Sequence, residues 1–249
     1  MKTRHIVSFG AGVNSGAMLT IMRIKKIRID ECLWADVGCE DQRTYDWIEK
    51  ELKPYLKKEN IKFTRVQSKL GSLYDDCMEK DIIPYVSIRS CTDKFKIRPI
   101  QKYIKEHYSN DLVFCYIGFD YDEPKRAYNM MKNYKLPYIP VYPLIEWGIT
   151  RDRCKELIKA LELRVPPKSR CIICPNRKEI GFKDLWDNER ENFNRAMDLE
   201  EKFMVKRKKN VGLLNNQKKT LKKLNTKWKE QKRLVGFFEI PHLMLEYKP

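Results

Sequence analysis

Arg4-His5-Ile6-Val7-Ser8-Phe9-Gly10-Ala11-Gly12-Val13-Asn14-Ser15 runs from a short apolar stretch into a small-residue turn. Residues 5–9 read as a strand. Residues 16–27, with Met18, Ile21 and Met22 three and four apart, read as an amphipathic helix. Strand, glycine loop and helix in that order make an anion site. Glycines let the backbone come close to oxyanions, and the first helical amides point at them with the positive end of the dipole behind. No Gly-Lys-Ser/Thr closes the loop, so it is not of the Walker type. An ordinary strand-to-helix turn is the bland alternative. The loop follows the first strand, where open α/β sheets place their ligand crevice, and that position favours phosphate binding.

The stretch Gly10-Ala11-Gly12-Val13-Asn14-Ser15, with Ser8-Phe9 before it, resembles the Ser-Gly-Gly-x-Asp-Ser PP-loop of the adenine-nucleotide alpha-hydrolase-like superfamily. Gly10 stands where that pattern has serine, Ala11 where it has glycine and Asn14 where it has aspartate. The resemblance implies ATP or a related adenylate held by Ser8, Gly10, Gly12, Asn14 and Ser15, with Mg2+. Trp34-Ala35-Asp36-Val37-Gly38-Cys39-Glu40, followed by Thr44-Tyr45, is similar to the Ala-Asp-Thr-Gly segment of sulfonucleotide-reductase-like proteins. It adds Asp36 as a carboxylate for ribose, adenine or magnesium; a strand-end turn capped by Asp is the other reading.

Two later stretches are similar to the phosphoadenosine phosphosulfate (PAPS) reductase-like family. Ser90-Cys91-Thr92-Asp93-Lys94-Phe95-Lys96-Ile97-Arg98-Pro99-Ile100 approaches Cys-x-x-Arg/Lys-Lys-x-x-Pro-Leu, but Phe95 separates the lysines and the proline comes one residue late. Arg89, Lys94, Lys96 and Arg98 give this stretch an anion-receiving strip. Ile117-Gly118-Phe119-Asp120-Tyr121-Asp122-Glu123-Pro124-Lys125-Arg126 resembles Gly-x-x-x-x-Glu-x-x-Arg. There the resemblance implies Gly118 and Glu123 at the nucleotide and Arg126 facing phosphate or sulfate. A helix-surface Glu123–Arg126 pair is the plainer alternative. Lys94, Lys96 and Arg126 are the residues expected to stabilise charge in catalysis.

Working outward, strand and helix patterns alternate. Glu31–Asp36, 61–66, 112–118 and 138–142 read as strands, and 43–58 and Arg98–His107 as helices. This predicts an α/β fold, a mainly parallel sheet with helices on both faces, PP-loop and Rossmann-like, followed by a helical Cys-containing part. In that part Thr150 caps a helix through Leu161, Pro166-Pro167 breaks it, and 183–204 reads as one long helix. The expected organisation is a nucleotide-binding domain over 1–147, a helical Cys-x-x-Cys segment over 148–201 and a basic tail over 202–249.

Composition excludes several classes. With 42% hydrophobic and 11% aromatic residues in 249, the chain is globular rather than disordered. No apolar run approaches the ~20 residues of a membrane span, and the N-terminal stretch lacks a signal peptide's apolar core. The expectation is a cytoplasmic protein whose eight cysteines are reduced or metal-bound. Net charge is +17, and residues 202–233 hold thirteen Lys/Arg against Glu230 alone. Leu214, Leu221, Leu224 and Trp228 predict a basic amphipathic helix there, suited to nucleic acid or merely solvated. Residues 235–245 are apolar enough to pack back onto the body.

Cys171-Ile172-Ile173-Cys174-Pro175 has the spacing at which two thiolates hold one metal. By resemblance to adenosine phosphosulfate reductases and phosphorothioation proteins, Cys91 joins Cys171 and Cys174 on a [4Fe-4S] cluster. Cys154 is the fourth choice and Cys39 the reserve, and Zn2+ suits the same ligands. Cys32, Cys77 and Cys115 read as core. Family members that reduce sulfonucleotides with thioredoxin use a cysteine near the C-terminus, and this chain has none after Cys174. The favoured reading is therefore an ATP-dependent enzyme that adenylates or sulfur-modifies a nucleic acid. A sulfonucleotide reductase and a metal-stabilised nucleic-acid-binding protein are the alternatives.

Overall fold

A computed structural model describes residues 1–85, 88, 90–160, 164–209, 211–214 and 219–238. The chain divides into two compact units, Met1–Cys77 with Pro84–Ile172, and Met78–Ile83 with Ile173–Pro249. The division falls well after residue 147, because the helix 151–160 packs on the first helix of the sheet domain.

The first unit runs β1 (Thr3–Phe9), α1 (Val13–Ile24), β2 (Glu31–Asp36), α2 (Gln42–Trp47), α3 (Lys53–Lys58), β3 (Lys62–Gln67), α4 (Leu73–Glu79), α5 (Ser90–Thr92), α6 (Arg98–His107), β4 (Leu112–Ile117), α7 (Pro124–Asn133), β5 (Ile139–Val141), α8 (Pro143–Glu146) and α9 (Arg151–Ala160). A π-helical turn, Ile48–Leu52, joins α2 to α3, and another, Asp93–Ile97, joins α5 to α6. The five strands form an all-parallel sheet in the order β3-β2-β1-β4-β5. The expected α/β, parallel, Rossmann-like architecture is what the chain adopts.

The pleat sorts the core. Val7 and Phe9 face one side of β1, packing with Met18 and Met22 of α1, Trp47 and Leu56 of the α2–α3 helix and Ile158 of α9. Ile6 faces the other side, with Leu33, Val113, Cys115 and the α6 residues Ile100 and Ile104. Every residue of β2 is buried, as expected for a strand covered on both faces. From β1 the chain winds outward to β2 and β3, then returns to β4 on the opposite side of β1. The strand order therefore reverses between β1 and β4, and their carboxyl ends bound the crevice of a doubly wound sheet.

Helix α1 begins at Val13, earlier than expected. Gly12 is its extended N-cap, and the Ser15 hydroxyl accepts from Gly12 N–H (3.2 Å) and donates to Gly12 C=O (3.0 Å). Asn14 and Ser15 thus form the first turn instead of preceding it.

The second unit contains α10 (Glu179–Asn188), α11 (Arg190–Arg207) and α12 (Leu221–Phe238). Two helices replace the single one expected over 183–204. Glu189 leaves helical geometry (φ −138, ψ 60), while the apolar series Phe182, Leu185, Trp186, Phe193, Ala196 and Leu199 continues across it. A one-residue break leaves such a pattern intact. The basic amphipathic helix forms as α12, with Leu221, Leu224 and Trp228 buried; Leu214 lies in a turn outside it. Trp228 packs edge-on against Trp186 (6.0 Å) and beside Phe193 (5.9 Å). Lys202 and Arg207 tie in the segment 78–83 by donating to the carbonyls of Met78, Lys80 and Asp81. The packing expected of 235–245, and the contributions of Arg89 and Leu161, lie outside the described side chains.

Candidate functional site

The crevice at the strand-order reversal is a cleft of about 660 Å³, within the range of small-molecule sites. Ser8 and Phe9 of β1, Gly10 and Gly12 of the loop, Asn14 and Ser15 of α1 and Gly118 after β4 form one wall. Lys96, Arg126, Arg151 and Lys168 bring four cations to it. Ala35, Ile97, Ile100, Ile117, Phe119, Met130 and Tyr138 supply an apolar lining. Burial pushes the Tyr138 phenol up, so its hydroxyl stays neutral at the cleft wall.

Gly118 makes the close approach possible. A Cβ there would lie 2.9 Å from both Cα and N of Ser15 and 3.1 Å from the Asn14 carbonyl carbon. Only a residue without Cβ lets β4 meet the first turn of α1 at this distance. Ala11 sits between the two loop glycines with φ +53, the left-handed region that glycine adopts more easily.

Asn14 is fixed by three partners. Its Nδ2 donates to Asp120 (2.8 Å) and Glu123 (3.3 Å), and its Oδ1 accepts from Arg151 (3.1 Å). Aspartate at this place would set a third carboxylate against Asp120 and Glu123, whereas the amide donates to both. Glu123 also pairs with Arg126, whose guanidinium lies 4.4 Å from the Phe119 ring centroid. Lys96 donates to the buried Glu40 carboxylate at 2.9 Å.

The structure gathers Ser8, Gly10, Gly12, Asn14, Ser15, Gly118, Lys96 and Arg126 at one cleft. Glu123 stands behind it, on Asn14 and Arg126. Lys94 does not line the cleft. It is exposed, two residues from Lys96 and across the buried Phe95, which sends the two lysines in different directions. Asp36 does not line the cleft either. Its buried carboxylate accepts from Gly38 N–H (2.8 Å), Tyr45 hydroxyl (2.9 Å) and Gln67 (3.3 Å), and pairs with Arg65. It braces the end of β2. Asp36→Ala is expected to cost about 2–3 kcal/mol of stability by stranding these donors; a thermal melt of the variant checks it.

Arg151, Lys168, Asp120 and Glu40 were not singled out from the sequence. Arg151 carried a signal: a cation in the first turn of a helix opposes the dipole, so something else must use it. Glu40 and Lys168 carried none, because only the fold brings them near the loop.

The cysteines of the expected ligand set differ in exposure. Cys154 is fully buried on α9 beside Ile158, and burial pushes its thiol up to about 12. Cys91, Cys171 and Cys174 are partly exposed. Cys39 is buried, its carbonyl accepting from Ile172 N–H at 2.8 Å, next to the bridge between Glu40 and Cys171. Among the described residues, no three His, Cys, Asp or Glu side chains converge on a site that can hold a metal ion. Cys32, Cys77 and Cys115 are buried, as expected of core cysteines.

In the second unit α12 exposes Lys222, Lys223, Lys227, Lys229, Lys232 and Arg233 around its buried Leu221–Trp228 stripe. Among the described residues, no helix is long and apolar enough to cross a membrane.

No protein-family model matches the sequence. The chain is 28% identical over 144 residues to the uncharacterized nin region protein ORF290 of Escherichia phage lambda, covering 49% of this chain and 50% of that protein. It is 25% identical over 207 residues to the uncharacterized protein MJ0973 of Methanocaldococcus jannaschii, covering 79% of this chain and 47% of that one. The chain thus spans about half the length of the curated relatives it matches. Among solved structures it is similar to the U34-tRNA thiolase NcsA from Methanococcus maripaludis with its [4Fe-4S] cluster. The TM-score there is 0.49 at 17% identity, over 83% of this chain and 71% of that one.

Proposed function

We propose that the chain is a PP-loop enzyme, of the PAPS reductase-like kind, that binds ATP in the β1–β4 cleft and adenylates a nucleic acid, preparing the acceptor for sulfur or another nucleophile. The observation that carries this reading is the Gly118 approach. A glycine cradle at the strand-order reversal gives phosphate oxygens access to the amides that begin α1. The donor set fits the ligand. Four cations suit a polyphosphate, and the apolar lining with Tyr138 suits a purine ring.

An acceptor oxygen attacks the α-phosphorus. The new O–P bond forms as the α–β bridging bond breaks, pyrophosphate leaves with the electron pair, and the acceptor proton passes to solvent. Lys96, Arg126, Arg151 and Lys168 stabilise charge on the transferred group and on the leaving pyrophosphate. Glu40 holds Lys96 and Asn14 holds Arg151, so both cations are positioned before the nucleotide arrives. Magnesium enters with the nucleotide as its counter-ion. No step is assigned to a metal cluster. The lysine-rich surface of α12 supports a polyanionic acceptor.

Pyrophosphate release from ATP, measured with and without added RNA or DNA, is the test. Wild type is expected to release pyrophosphate, faster with one nucleic acid, and Lys96→Ala and Arg126→Ala to lower the rate about a hundredfold each. Release of orthophosphate, or consumption of adenosine phosphosulfate with an electron donor and no pyrophosphate, overturns the reading.

A further inference from the structure

Helix α7 forms one wall of the cleft through Arg126 and Met130, yet its only buried side chain is Ala127. At 100° per residue, Arg126 and Met130 share the inner flank and Ala127 faces the core. Tyr128 and Met131 share the outer flank, and they are 60% and 52% exposed. Between the flanks, the crest carries Lys125, Asn129 and Lys132, all exposed. Residues 124–135 hold Lys125, Arg126, Lys132 and Lys135 and no acid.

We propose that α7 is a saddle for single-stranded nucleic acid, over which the acceptor strand passes into the cleft. The inference rests on the adenylation reading. A helix with side chains is about 10–12 Å across, a width that a strand crosses in about two nucleotides. The three surfaces match what such a strand needs in order. A ring and a thioether on the outer flank stack a base, lysines and an amide on the crest meet the phosphates, and Arg126 receives the nucleotide that enters. Aromatic and basic groups interleaved in this way suit single strands, whose bases are free to stack; a duplex keeps its bases stacked on each other. Tyr128 and Met131 keep more than half of their surface exposed, which leaves them available to a partner.

The test uses the full chain, with fluorescein-labelled rU12, dT12 and a blunt RNA duplex followed by anisotropy, and ATP binding by calorimetry on the same proteins. Tyr128→Ala with Met131→Ala is expected to weaken rU12 or dT12 at least about fivefold. Tyr128→Phe keeps the ring and is expected to bind as wild type. Lys125→Ala with Lys132→Ala is expected to reduce the slope of log affinity against log salt by about 1.4. All three leave ATP affinity and the melting temperature unchanged, since these side chains are exposed. Preference for rU12 over dT12, or the reverse, names the acceptor chemistry. If single-strand affinity stays within twofold in the Tyr128 and lysine variants, or falls only with Lys222→Glu and Lys223→Glu on α12, the saddle is overturned. Failure of wild type to bind ATP overturns the adenylation reading instead, and the oligonucleotide arms still read the saddle by itself.

Discussion

Gly118→Ala is expected to raise the Kd for ATP by about a hundredfold or more while leaving a folded protein. The added methyl would meet Ser15 Cα and N at 2.9 Å, and these are backbone atoms that cannot rotate aside. Either β4 or the first turn of α1 must shift. Overpacking of this kind costs about 1–3 kcal/mol of stability. The cost to binding is larger, because the displaced turn carries the amides proposed to hold the phosphates. A displacement of about 1 Å is enough to lose about two orders of magnitude in a positioned site. Calorimetry with ATP, beside circular dichroism and a thermal melt, separates loss of the site from loss of the fold. Binding within threefold of wild type would mean that the nucleotide does not rest against this turn.

The largest stability effect is expected in the second unit. Glu200 is fully buried, and its carboxylate accepts from Leu213 N–H (2.9 Å) and Leu221 N–H (2.5 Å), clamping the segment before α12 to the start of that helix. A Cβ on Gly212 would come within 2.0 Å of the same carboxylate, so the chain passes it with no room for a side chain. Glu200→Ala strands two buried donors and opens a cavity, at an expected cost of about 3–5 kcal/mol. Amide exchange over residues 221–233 should rise by orders of magnitude while the sheet of the first unit stays protected.

Glu200→Gln adds a pH signature. Burial raises the Glu200 pKa above the ordinary glutamate value, outweighing the two backbone bonds that lower it. A raised carboxyl contributes its stability below the ordinary value and loses it as pH rises through the folded value. The deficit of Glu200→Gln relative to wild type is thus expected to be greatest in acid and to narrow over that window. A constant deficit across pH would show that the clamp acts by shape alone.

The sheet was legible because each strand carries its own signal. Burial on both faces writes near-continuous apolar runs, and the glycine loop after β1 marks the crevice without any knowledge of the strand order. Gly118, Lys96 and Arg126 line the cleft, and their local patterns fall at the ends of such elements. Asp36 illustrates the opposite case. A carboxylate at a strand end is equally suited to a ligand and to bracing its own turn, and only the positions of Tyr45, Arg65 and Gln67 decide between them. Lys94 points away from the cleft that Lys96 lines, since residues two apart on a helical turn diverge. The break at Glu189 was invisible because the apolar spacing on its two sides stays in step. Glu40 and Lys168 owe their places to chain segments far apart in sequence, about which a local pattern carries no information.

The π-helical turn at Asp93–Ile97 bears on the one irregularity in the charged stretch before α6. Against the Cys-x-x-Arg/Lys-Lys-x-x-Pro-Leu signature this chain has one residue too many, and that residue is Phe95. A turn closed by i→i+5 bonds stores one residue more than an α-helical turn, and Phe95 is buried within it. The surplus is absorbed as girth instead of length, so Thr92, Lys96 and Ile100 all remain along the cleft. A chain can thus gain or shed a residue at this point without uncoiling the helix or withdrawing its cation.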